Sequence, residues 1–220
     1  MTHPEDRPLT SPLDAATRAL VRLAAVTAGG TDAELRTAIQ DAVRNCPSPW
    51  VEELILQTYL FAGFPRALNA ARVWRRVAGA DETPLAEYAA APDYALENTT
   101  TWRARGQITC AHVYGDAYHK LRHNIAALHP ALDAWMITEG YGKVLSRPAL
   151  DLQRRELCIV AACAHTTQER QLHSHLHGAR NVGVPDDVVD AALDVLSDVL
   201  RADAMASARH LWSRVRGQAA

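Results

Sequence analysis

Laid over itself at an offset of 137 residues, the chain matches: DAATRALVRLAAVTAG from Asp14 falls on DLQRRELCIVAACAHT from Asp151. The register holds without a gap for several helices, with Leu35 on Leu172 and Ala42 on Ala179, and after a one-residue shift ARVWRRV near Trp74 meets ARHLWSRV near Trp212. A repeat of this length restricts the fold, because each copy must be one supersecondary unit that buries its apolar face against a neighbour. Apolar residues recur with the helical period over 13–27, from Thr31 or Asp32 to about Arg44, and from Trp50 to near Gly79. The same period marks about 109–128, 130–140, both halves of 151–183, Asp186 to about Leu200, and about 202–216. No segment alternates with period two, so the expected class is all-α, a tandem duplicated helical bundle with four helices per copy.

The repeat suggests the division. Residues 1–11 read as a loose tail, 12–79 as the first copy, and 109–220 as the second copy with its preceding helices. Between them, 80–108 carries Pro84, Pro92 and the polar run Glu97 to Thr101, and is the expected linker. YGKVLSRPAL, from Tyr141, reads as a turn.

Within Asp151 to Gly183, two ionisable residues fall on faces that the period assigns to the interior. Leu152, Glu156, Ile159, Val160 and Cys163 share one stripe, and Leu172, His175, Leu176 and Ala179 share another. Burying a carboxylate is costly unless it is paired. At the repeat offset Glu156 meets Ala19 and His175 meets Ala38, so one copy holds both groups and the other holds neither. That joint loss points to a functional pair; the alternatives are a core histidine bonded to a backbone carbonyl and a carboxylate paired with Arg155 or with another helix. His173 and His177 lie four residues apart on the polar side, a spacing that suits a metal on a helix, but no third ligand accompanies them, and no metal is expected.

Net charge of −2 with scattered arginines gives no basic field for nucleic acid or an anionic membrane surface, so neither is an expected partner. The first ten residues, MTHPEDRPLT, lack the apolar run of a signal peptide, and no stretch nears eighteen uninterrupted apolar residues; a cytoplasmic location is expected. Cys46, Cys110, Cys158 and Cys163 form no CxxC pair, so reduced thiols are the default.

Several segments together resemble the carboxymuconolactone decarboxylase family, which includes the alkylhydroperoxidase D-like proteins. VYGDAYHKL (113–121), YGKVLSRPALD (141–151), then RREL with QLHSHLHGARNVGV (171–184) follow the order of the decarboxylase branch. ELILQTYLFAGFPRALNAARV (53–73) resembles the family's closing segment and here precedes the others. The resemblance implies an all-helical unit that forms dimers and then trimers of dimers, so a chain with two copies supplies one such dimer and three chains complete a ring. It places the family's histidine on His175 and the glutamate of its peroxidase-like members on Glu156. Where those members carry a redox CxxC, this chain has Gln168 and Gln171.

The expected chemistry is cofactor-free decarboxylation or proton transfer on a small carboxylated lactone or organic acid, a small-molecule substrate. His175 is the general acid and Glu156 its partner; Arg147 is a candidate anchor for a substrate carboxylate, and Tyr59 or Phe64 a candidate pocket wall. Two other functions are open: an alkylhydroperoxidase-like oxidoreductase, which needs a reactive thiol at Cys158 or Cys163, and a non-catalytic helical oligomer or ligand-binding relative.

Overall fold

A computed structural model of the chain describes residues 9–79 and 98–217. In chain order its helices are α1 (Ala15–Gly29), α2 (Asp32–Asn45), α3 (Ser48–Val77), α4 (Thr99–Tyr114), α5 (Tyr118–Leu128), α6 (Pro130–Trp135), a wide-turn π-helical stretch (Met136–Leu145), α7 (Leu152–His165), α8 (Glu169–Asn181), α9 (Asp186–Val195) and α10 (Ala202–Gly217). The described residues contain no strand, and the all-α class holds. None of the described helices is long and apolar enough to cross a membrane.

The helices fall into two compact units, one within Met1–Ala78 and Ala149–Ala220, the other within Gly79–Pro148. This grouping does not coincide with the expected division at 80–108. The physical cause is α1: all of its residues from Ala19 to Ala28 except Arg22 are buried, and a helix apolar on nearly every side must be enclosed. It packs along α7, whose residues from Arg154 to Ala164 are all buried, so helices from before and after the other unit make one core.

Matching local devices recur across that core. Asp14 caps α1 by accepting from Thr17 N at 2.8 Å, and Asp151 caps α7 by accepting from Arg154 N at 2.9 Å. Pro47 and Pro185 precede α3 and α9. Trp74 Nε1 donates to Glu52 at 3.4 Å and Trp212 Nε1 donates to Asp190 at 2.8 Å, each across 22 residues. One pair of positions related by the offset even touches: Arg154 Nε donates to Thr17 Oγ1 at 3.1 Å across 137 residues.

α3 is broken. Gly63 sits at φ 81° and ψ 162°, a backbone conformation that a side chain resists, and Pro65 two residues later has no N–H to continue the helical ladder.

In the other unit the sequence expectations need correction. Helix α4 starts at Thr99, inside the expected linker, because Trp102, Gly106, Cys110 and Val113 form a buried helical stripe; residues 80–97 of that linker lie outside the described residues. Two members of the stripe are glycine and cysteine, which made it faint in the sequence. The expected helix over 109–128 is interrupted at Gly115, where φ is 51°. The segment read as a turn from Tyr141 continues the π-helical stretch to Leu145. Backbone proximity explains why: a Cβ on Gly106 would lie 2.0 Å from Ile137 O, and one on Gly142 would lie 1.9 Å from Trp102 O, so α4 and the π-helical stretch meet main chain to main chain. Gly142→Ala therefore costs at least about 1–3 kcal/mol through overpacking. Gly140, with nothing within 4 Å of an added Cβ, is the control: in urea unfolding Gly140→Ala leaves the midpoint level or higher.

Candidate functional site

Helix α7 starts one residue after Asp151, so its second turn carries Glu156 into the middle of the core, where it is 0% exposed. The chain leaves α7 at Thr166, turns through Thr167 at φ 54°, and returns as α8. The amphipathic stripe Leu172, His175, Leu176 and Ala179 then faces α7, as the spacing predicts. His175 is 4% exposed, and its Nδ1 lies 2.8 Å from Glu156 Oε2. The other carboxylate oxygen, Glu156 Oε1, is buried with no hydrogen-bond partner among the described residues. A buried carboxylate with one oxygen satisfied and one without a donor is costly for stability alone, and costly polar burial of this sort marks sites of function.

Phe61 closes the pair from the first half of α3. Its ring meets His175 edge to face, with centroids 5.5 Å apart and planes at 86°. Tyr59 and Phe64, the expected pocket walls, instead stack on each other at 4.6 Å across the break in α3, and Phe64 is 62% exposed. Arg147 belongs to the other unit, where its backbone N–H donates to Val144 O.

Arg155 does not pair with Glu156. Its fully buried guanidinium donates to Glu53 at 2.8 Å, to Gln57 Oε1 at 3.1 Å and to Leu150 O at 3.0 Å, while Gln57 Nε2 reaches back to Arg155 O at 3.4 Å. This network binds the first half of α3 to α7 beside the pair. The sequence reading missed Glu53, Gln57 and Phe61, although the three recur every four residues on one face of α3, a polar stripe continuous with an aromatic that flags a buried network. Arg154, also buried, bonds Asp151 and lies over the Trp50 ring at 4.6 Å.

The thiols are poorly placed for redox work. Burial, reinforced by the Glu156 carboxylate, pushes Cys163 up to about 12, and burial likewise raises Cys158. Both are protonated at neutral pH, and the thiol is a weak nucleophile. His173 and His177 meet edge to face at 4.9 Å. No group of three or more potential metal ligands is gathered among the described residues. Ala19 and Ala38, the counterparts of Glu156 and His175, are each 2% exposed, so those two positions carry no ionisable group into the core.

Residues 130–214 match the model of the carboxymuconolactone decarboxylase family. The matched segment runs from α6 into α10 and contains both Glu156 and His175, which supports a function of carboxymuconolactone decarboxylase or alkylhydroperoxidase D-like type at the level of the family. No curated protein matches the chain.

Proposed function

We propose that Glu156 and His175 form a cofactor-free proton-transfer site that decarboxylates a small carboxylated lactone or a related organic acid. The observation that carries the reading is the buried 2.8 Å pair whose second carboxylate oxygen has no donor among the described residues. With Nδ1–H directed at Glu156, the imidazole is held in one tautomer and exchanges protons with a ligand through Nε2. When the bond from carbon to carboxylate breaks, its electron pair enters the adjacent carbonyl system as an enolate. Carbon then takes the proton from His175, and the imidazole regains one from solvent. Glu156 stabilises the imidazolium that precedes the transfer and is restored by the solvent proton, while the neutral imidazole between these steps keeps its Nδ1–H on the carboxylate; the water-poor surroundings strengthen that interaction.

The family match supports this class of reaction without distinguishing its branches. The raised thiols favour the decarboxylase branch over thiol-based peroxide reduction. CO2 release from a panel of carboxylated lactones, run beside hydroperoxide consumption, tests the assignment. The reading expects turnover in the first assay that survives alkylation of the accessible cysteines. Hydroperoxide turnover abolished by alkylation overturns it.

The repeated caps and tryptophan bonds further support a tandem duplication in which only one copy has kept its site. On that reading three chains assemble a ring with one site each. Light scattering then gives the mass of three chains, and a stable monomer contradicts it.

A further inference from the structure

The break in α3 has a specific hydrogen-bond consequence at the pair. In an unbroken helix the carbonyl of Phe61 would accept from the N–H of residue 65, and that residue is Pro65, which has none. Gln168 supplies the missing donor: its Nε2 donates to Phe61 O at 3.0 Å across 107 residues. Gln168 stands at the N-cap position of α8 but makes no side-chain cap, and its backbone is fixed by N–H donation to Cys163 O at 3.0 Å and acceptance from Leu172 N at 2.8 Å. On the other side of the break Arg66 donates to Gly30 O at 2.6 Å. Each half of α3 is thus held separately.

Gln168 and His175 are two helical turns apart, so they lie along the same face of α8. Both meet Phe61, one through its carbonyl and the other through its ring.

We propose that Gln168 is a positioning residue: its amide clamps the Phe61 carbonyl at the helix break and so keeps the Phe61 ring across His175, setting how far ligands and water reach the imidazole. The kinetic importance of the clamp rests on the proposed role of the pair, whereas the clamp itself is measurable without any substrate.

Carbethoxylation of each histidine by diethylpyrocarbonate, resolved by peptide mass spectrometry on the full chain, is the test. Gln168→Met keeps length and neutrality but removes the donor. It raises the modification rate of His175 by about fivefold, the scale of one lost hydrogen bond, with His173 and His177 unchanged as internal references. Phe61→Ala raises the His175 rate at least as much, and adding Gln168→Met to it brings no further rise, because the amide acts through the ring. Gln171→Met, altering an exposed neighbour, leaves the rate at the wild-type value. Equal His175 rates in wild type and a folded Gln168→Met variant overturn the proposal, as does an undiminished effect of Gln168→Met in the Phe61→Ala background. A protein that turns over no lactone but shows this coupling keeps the clamp and loses the catalytic reading.

Discussion

Arg155→Ala lowers the unfolding free energy by about 3–5 kcal/mol, the range for removing one member of a buried ion pair. The variant takes away the guanidinium that Glu53 and Gln57 share and strips Leu150 O of its donor. Glu53, only 6% exposed, loses the guanidinium that donates to it at 2.8 Å inside the core. Urea unfolding followed by circular dichroism measures the loss, and a loss under about 1 kcal/mol would show that the pair is weak, as exposed ion pairs are. Substituting both ends with apolar residues, Arg155→Met with Glu53→Leu, recovers most of the stability, because the penalty lies in the uncompensated charge. The double variant also separates two roles of this network. If its only task is to hold α3 on α7, Phe61 stays on His175 and activity follows stability.

His175→Ala lowers the rate on the best substrate by at least about 100-fold while leaving the helical signal unchanged, the usual cost of removing a positioned general acid. Glu156→Gln keeps an acceptor for Nδ1–H but removes the charge that stabilises the imidazolium, so its loss is smaller than that of Glu156→Ala. The double variant His175→Ala with Glu156→Ala is no slower than the worse single variant, because groups acting as a unit are not additive. His173→Ala, altering a half-buried neighbour on the other side of α8, retains the wild-type rate. Steady-state rates of the five proteins decide it, and a fully active His175→Ala removes the assignment.

The inward placement of Glu156 and His175 was legible because it depends only on helical period, and α7 and α8 are regular. Their contact across 19 residues follows from a short turn between adjacent helices. Phe61, Glu53 and Gln57 were not legible as partners, since they reach α7 and α8 across about a hundred residues, and no local pattern encodes such a pairing. The failure at Tyr59 and Phe64 has another cause. The helical period from Trp50 to near Gly79 gave no sign of the break at Gly63 and Pro65, across which Tyr59 and Phe64 stack on each other while Phe61 meets the histidine. Helix α4 was hidden because its buried stripe relies on a glycine that admits the neighbouring main chain, and glycine in a sequence reads as a helix breaker.

The central claim is that His175 delivers the proton to carbon, and the most direct measurement is the position and configuration of deuterium in product formed in D2O. The account predicts that the wild-type protein places one deuterium, in a single configuration, on the carbon that lost the carboxylate, and that the residual product from His175→Ala carries it in both configurations. Labelling in a single configuration by His175→Ala at the wild-type rate would contradict it.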